Sequence, residues 1–374
     1  QIDLNKPVYE LETVEKETIA VLRALSQQKT TVLVLDEPTS ILTRREIDVL
    51  FKQIDILKKN GIAIIYITHR LDEIFQVADR FTVFRDGQNV GTYDCKEEGI
   101  NSSKITELML GKKVGQVFPE KICEQGDEYL RLENLSQEGY FKNVDLSACK
   151  GQIIGIFGLV SSGFDELCKT IFGLMPPTEG KILVDGKEVK IDSVKKAIDN
   201  GIFLIPGDRR VQGQISEESI SFNITISVLD KISKFLGLVD RRAEKKISDG
   251  VVKDLQIKTP SISQKVGLLS GGNQQKVVIG KGLGTKSEVY IFEEPTVGVD
   301  VGAKSSIYHL IRNLSKDKAV IVVSSDCEEV YGVCDIAVVM YKGKIVMNKP
   351  VSQTRLDEML LCGMTGNAKG DKNG

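Results

Sequence analysis

The chain contains itself twice. TTVLVLDEPTSILTRREIDVLF (30–51) returns as EVYIFEEPTVGVDVGAKSSIYHL (288–310), and IAIIYITHRLDEIFQVADRFTVFRDGQNV (62–90) returns as AVIVVSSDCEEVYGVCDIAVVMYKGKIV (319–346). Asp79 falls on Asp335 and Gly87 on Gly343, 256 positions apart in each case. A repeat of whole motifs at that spacing means two copies of one folding unit. Within each copy, short apolar runs (32–35, 62–67, 320–323, 336–340) read as strands buried on both faces, and they alternate with amphipathic helical segments. That is the pattern of a mostly parallel sheet wrapped by helices. The expected class is α/β in two tandem copies, the first incomplete at its N-terminal end, where Gln1 heads a strand-poor stretch and the sequence is expected to begin inside a domain.

With 374 residues, 41% of them hydrophobic, the chain can bury two cores. Its 50 basic and 52 acidic residues nearly cancel, so nothing marks attraction to nucleic acid or anionic lipid. Seven cysteines without a C-x-x-C pair read as reduced thiols of a cytoplasmic protein. No apolar window of about 18 residues occurs and no signal peptide leads the chain, so any membrane association is expected to run through a partner.

One stretch keeps the outline of a phosphate-binding loop. In IGIFGLVSSGFDEL (153–166), an apolar strand runs into Gly158, Gly163 follows five residues later, and a helical stretch comes next. The pattern G-x-x-x-x-G-K-[ST] then requires a lysine for the phosphates and a hydroxyl for Mg²⁺. Here Phe164 and Asp165 stand in those places, while the backbone N–H groups of Ser161, Ser162 and Gly163 remain to meet an anion. Two other near matches are set aside. GVDVGAKS (298–305) has Ala303 for the second glycine, and GKGLGTKS (280–287) has Thr285.

LLSGGNQQKVVIGKGL (268–283) carries the strongest chemical signal. A serine and two glycines at the start of a helix offer a hydroxyl, close backbone approach and the positive helix end to an anion. The residues are Ser270, Gly271, Gly272, Asn273 and Gln274; an ordinary glycine-containing helix start is the other reading. Next, VLVLDEPTS places Asp36 and Glu37 at a strand's carboxyl end, where α/β sheets bind ligands. Asp36 suits Mg²⁺, directly or through water, and Glu37 suits orienting or deprotonating a water aimed at a γ-phosphate. A buried strand ending in a solvated turn is the alternative. His69 closes the next strand and suits a hydrogen bond to a γ-phosphate oxygen, or simply a satisfied strand end. His309 falls in a helical run and reads as structural.

The order of these motifs resembles the nucleotide-binding domains of ABC transporters, which are P-loop NTPases. GLVSSG, LSGGNQQKVVIGKGL, PTVGVDVGAK and VVSSDCEEV are similar, more narrowly, to the second half of the fused ATPase subunits of bacterial monosaccharide importers, and ELMLGKKV to their junction sequence. The resemblance implies ATP and Mg²⁺ as cofactors, and membrane permease subunits and through them a sugar-binding protein as partners. It further implies a peripheral position on the cytoplasmic face of the bacterial membrane and no nucleic-acid partner. From Tyr129, LRLENLSQEGYFKNVDLSACKGQIIGI shows the alternation and turns of a small antiparallel sheet leading to the phosphate-loop outline, and a helical stretch around 215–260, rich in Ser, Lys and Ile, reads as an inserted subdomain. The expected division is the C-terminal part of a first nucleotide-binding domain (1–95), a connection (96–126), a second such domain (127–365) and a disordered tail (366–374).

In that family two domains pair head to tail around two ATP molecules, so each site joins one domain's loop, acidic pair and histidine to the other's serine-glycine signature. One such site would combine Asp36, Glu37 and His69 with Ser270 to Gln274, its phosphate loop lying upstream of Gln1. The other would carry Phe164, Asp165, Glu293 and Glu294, with Ser325 where the repeat has His69, facing LETVEKE (11–17) whose Glu12, Thr13 and Val14 replace serine and two glycines. That second site reads as degenerate on both faces. GDRR (207–210) reads as part of a coupling loop. The function expected is an ATP-hydrolysing, energy-coupling importer subunit. The alternatives are a nonhydrolytic regulatory module and a ribosome- or DNA-associated ATPase.

Overall fold

The computed structural model describes the chain apart from residues 1–5, 9–10, 12–14, 17–18, 21–22, 24–29, 40–43, 69, 86, 112–117, 122–125, 160, 234–236, 300 and 368–374. Glu12, Thr13, Val14, His69 and most of the expected tail therefore lie outside the described residues. The chain forms two compact units, Gln1–Val114 and Gly115–Gly374.

The first unit opens with β1 (Val32–Asp36), α1 (Arg44–Lys59) and β2 (Ala63–Ile67), a β-α-β crossover in which Val32 pairs with Ala63 and Asp36 with Ile67. It continues through α2 (Leu71–Val77), the antiparallel hairpin β3 (Arg80–Arg85) and β4 (Gln88–Asp94), and α3 (Ser102–Leu110). Leu33 and Leu35 pack with Ile54 and Val77, and Phe81 and Val83 with Ile105. Helix α3, within the stretch expected to be a connection, is thus bound into this unit: Asn101 caps its start by accepting from the Lys104 N–H at 2.9 Å, and left-handed Gly111 ends it.

One expectation is corrected here. β1 and β2 are not buried on both faces: Val32, Val34, Ile65 and Ile67 are all about half exposed, because no second layer covers that side among the described residues. Among the described residues that sheet has two strands, and its apolar run packs against α1 and α2.

The second unit has two sheets. An antiparallel one, in order β6-β5-β8-β9, is built from β5 (Glu128–Gln137), β6 (Phe141–Cys149), β8 (Glu179–Val184) and β9 (Lys187–Val189). The larger one runs β10-β11-β12-β7-β13-β14, from β7 (Ile153–Gly158), β10 (Ile202–Ile205), β11 (Val289–Glu293), β12 (Ala319–Ser324), β13 (Ile336–Tyr341) and β14 (Lys344–Pro350). Only β14 is antiparallel in it. Helices α4 (Phe164–Ile171) and α5 (Val194–Asp199) precede the insertion of α6 (Ile220–Thr225), α7 (Leu229–Ile232) and α8 (Arg241–Asp254). Helices α9 (Gly271–Thr285), α10 (Val301–Ser315), α11 (Cys327–Val333) and α12 (Leu356–Thr365) complete the unit. Here β7, β10, β11 and β12 are buried on both faces throughout their length. No helix among the described residues is long and apolar enough to cross a membrane.

The order β1-α1-β2-α2-β3-β4-α3 recurs as β11-α10-β12-α11-β13-β14-α12, down to a left-handed glycine, Gly111 or Gly366, after the last helix. Between β12 and β13 the second unit holds β7. In the first unit β2 and β3 belong to separate two-stranded sheets.

Candidate functional site

Both acidic strand ends are built alike. Glu37 (φ 46°) and Glu294 (φ 43°) take the left-handed conformation, which costs a non-glycine residue about 1 kcal/mol or more and is typical of functional turns. Each N–H is held by the neighbouring strand, Glu37 donating to the Ile67 carbonyl at 2.9 Å and Glu294 to the Val323 carbonyl at 2.7 Å. Each turn is then tied down by a threonine donating to a buried glutamate, Thr39 to Glu73 at 2.6 Å and Thr296 to Glu329 at 2.8 Å. Sequence reading missed both glutamates, although their shared place in the repeat, in LDEIF and CEEVY, was available to find them.

Beyond this frame the two ends differ. Asp36 and Glu37 are exposed. Glu293 is buried, and burial first, then the negative charge and hydrogen bond of Asp165, push its carboxyl up to about 7. Glu293 thus holds its proton beside Asp165, whereas Asp36 and Glu37 face solvent. Glu294 accepts from the Ser325 N–H at 2.7 Å and the Ser324 hydroxyl at 3.2 Å, so its carboxylate is held at the serine that replaces a histidine in the repeat.

The loop at 158–165 is shaped like a cradle and filled from within. Ser161 (φ 70°) and Gly163 (φ 95°) make the turn, and a Cβ on Gly163 would lie 2.9 Å from the Tyr140 carbonyl. The Gly343 N–H donates to Ser162 O at 2.8 Å, which pins the loop to the β13–β14 turn. Phe164 is buried, with its ring edge 2.9 Å from where a Cβ on Gly158 would stand. One expectation changes: the Ser162 N–H does not remain for an anion, because it donates to Leu159 O at 2.9 Å and closes the turn. Asp165, on the exposed side, adds a carboxylate.

The signature forms a well-braced helix start. Ser270 is the N-cap of α9 but spends no side-chain bond on the helix; its Oγ accepts from Asn273 Nδ2 at 2.9 Å, and Asn273 Oδ1 accepts the Lys258 N–H at 2.9 Å. Gln274 Nε2 donates to Leu269 O at 2.9 Å, and Gln274 Oε1 accepts from Gln214 at 3.2 Å. Gly271 lets Arg209 pass: a Cβ there would come within 2.9 Å of its guanidinium. Arg209 donates to the Val297 and Gly298 carbonyls at 2.8 Å each, linking the turn after Glu294 to the signature. In GDRR, Arg209 opens a short π-helical turn and is a brace inside this unit. His309, on α10, holds the Ser305 carbonyl at 2.8 Å and is exposed.

Asp36 and Glu37 lie in one unit and the 270–274 signature in the other, so neither unit holds the two groups as one site. Within the second unit the filled loop, Glu293, Glu294 and, through Arg209, the signature are connected.

The family model for ABC transporters matches residues 141–297. A nucleotide-free ATP-binding cassette of an ABC transporter superposes with a TM-score of 0.54 at 22% identity, over 63% of this chain and 99% of that one. An ATP-binding cassette in its ADP conformation gives 0.53 at 23%, over 64% and 96%. Fold and loop geometry therefore define an ATP-binding cassette of the P-loop NTPase class. The ribose import ATP-binding protein of Cereibacter sphaeroides is 40% identical over 98% of this chain and 72% of its own length. The galactose/methyl galactoside import ATP-binding protein of Fusobacterium nucleatum is 39% identical over 96% and 72%, and the ribose import ATP-binding protein of Geobacillus kaustophilus 41% over 88% and 66%. The chain belongs to this family of sugar-import ABC ATP-binding proteins. It spans about two thirds of the length of these relatives.

Proposed function

We propose that the chain is part of the ATP-hydrolysing subunit that powers sugar import through membrane permease subunits fed by a sugar-binding protein, at the cytoplasmic face of the membrane. Residues 1–95 and 127–365 contribute the two nucleotide-binding domains, which pair with each other. One composite site then does the chemistry. Asp36, an exposed carboxylate at a strand end, is a hard oxygen donor of the kind Mg²⁺ takes and would hold it; the bound cation supplies charge neutralisation at the phosphates. Glu37 orients and deprotonates the attacking water, and His69 hydrogen-bonds a γ-phosphate oxygen. Ser270, Gly271 and Gly272 present a hydroxyl and helix-start N–H groups to the same phosphate from the second domain.

The observation that carries this reading is the contrast between the acidic ends. One is exposed. The other has its first acid buried beside Asp165, with its carboxyl pushed up to about 7, and its second bound to Ser324 and Ser325, beside a loop filled by Phe164. The second site is thus a binding or purely structural one, and hydrolysis belongs to the first. No G-x-x-x-x-G-K-[ST] match occurs in the sequence, so phosphate release from ATP by this chain alone is expected at background. Robust turnover that disappears with Glu37→Gln would overturn the composite site.

A further inference from the structure

Residues 118–121, FPEK, fall in the stretch expected to be a connection, yet they are seated on the second unit. The Phe118 ring stacks on Tyr308 of α10, with centroids 5.3 Å apart and planes 21° from parallel. Pro119 is buried and fixes the direction of the backbone there. Lys121 donates to the Tyr331 carbonyl of α11 at 2.7 Å and lies over the Tyr331 ring, 5.3 Å from its centroid. Gly332, the next residue of that helix, makes the room: a Cβ there would meet the Phe118 ring at 2.4 Å. Glycine inside a helix is unfavourable relative to alanine, so its place in α11 is accounted for by what it admits. In the repeat, Gln76 stands at that position.

Tyr308 is buried, and its hydroxyl lies 3.5 Å from that of Thr296, whose bond to Glu329 ties down the turn after Glu294. The two residues that follow Thr296 offer the carbonyls held by Arg209, and Arg209 in turn lies against Gly271 at the start of the signature helix. A continuous run of contacts therefore leads from Phe118 through Tyr308, Thr296 and Arg209 to Gly271, all of it inside one unit.

We infer that Phe118 is a positioning residue. Seated between Tyr308 and Gly332, its ring holds the Tyr308 hydroxyl against Thr296, and so sets the turn 294–298 and, through Arg209, the start of the signature helix. The stretch that joins the units thereby bears on the groups the second unit offers to a phosphate. That the signature so held serves hydrolysis rests on the reading above; the seating of Phe118 and its reach to Gly271 do not.

Two readouts separate the seating from its consequence. The chain has no tryptophan, so Phe118→Trp installs a single indole, whose fluorescence should be shielded from acrylamide by its seat on Tyr308. Gly332→Ala in that background, a change that a helix otherwise favours, should expose it. In the chain without tryptophan, Phe118→Ala is expected to speed hydrogen exchange ~tenfold or more at the Val297, Val299 and Gln274 amides, whose bonds close the turn and the first turn of the signature helix. The β5 amides should exchange as before. Phe118→Tyr keeps the stack and should keep the slow rates. Gly332→Ala should match Phe118→Ala, and the two together should add nothing, since each removes the same contact. If the Phe118→Ala chain fails to fold, Phe118→Leu, which keeps bulk and loses the stack, carries the same test. An indole open to acrylamide with Gly332 in place, unchanged exchange at Val297 and Gln274, or a rise spread equally over β5 would overturn the inference. So would additive effects of Phe118→Ala and Gly332→Ala. Neither readout involves ATP: if exchange responds in the expected way and the composite site proves inactive, the positioning role stands and the hydrolytic reading falls.

Discussion

Asp36 and Glu293 end equivalent strands, and what separates them is what each faces. Glu293 is enclosed, lies beside Asp165 and receives a 3.4 Å bond from the Gly207 N–H. A carboxyl in that setting holds its proton to about pH 7, against an ordinary value of 4.5. The native state thus binds this proton more tightly than the unfolded chain does. Stability from this group is present below the unfolded value and is lost as the pH rises from about 4.5 to about 7, levelling off above that. Glu293→Gln keeps the neutral shape and removes the titration. Its expected effect is a melting curve unchanged near pH 4.5 and a gain near pH 8 on the order of 2 kcal/mol in the second unit. Equal pH dependence in the two proteins, followed by denaturant unfolding, would show that Glu293 does not hold its proton above the ordinary range in the native state.

At the scale of elements, the signature helix depends on how closely it meets its neighbour. Gly272 lies so near α10 that a Cβ there would stand 2.6 Å from the Ala303 Cβ. Gly272→Ala should therefore destabilise the second unit by about 1–3 kcal/mol, and adding Ala303→Gly should restore most of the loss, as read by urea unfolding. A loss that Ala303→Gly leaves untouched would place the cause elsewhere. The need for two glycines was legible in LLSGGNQQ, as the β-α-β units were in the repeated apolar runs. What those glycines admit was not: Ala303 and Arg209 come from distant parts of the chain, and no local pattern announces their approach. Exposed apolar surface on the first unit was an expectation, but which residues of β1 and β2 would carry it was not legible locally. The run VLVL looks the same whether or not a second layer covers it, and only the strand count of the folded sheet decides. Phe164 and Asp165 marked the degenerate loop at once, whereas the burial of Glu293 beside Asp165 required β7 and β11 in one sheet.

At the scale of the whole molecule, the two units bury very different cores. The second joins both of its sheets in a continuous cluster in which Ile307, Ile321 and Val322 are fully enclosed. The first has two small clusters, one around Ile54 and one around Ile105, and a sheet with one apolar face half exposed. Stability follows the apolar area removed from water, so the first unit should open at a lower temperature than the second and the chain should not unfold in one step. Calorimetry is expected to resolve two transitions. Ile54→Ala, which hollows the first unit's core, should lower only the earlier one, by roughly 5 °C or more, and Ile307→Ala only the later one. A single transition that both substitutions move together would mean that the units unfold as one cooperative body.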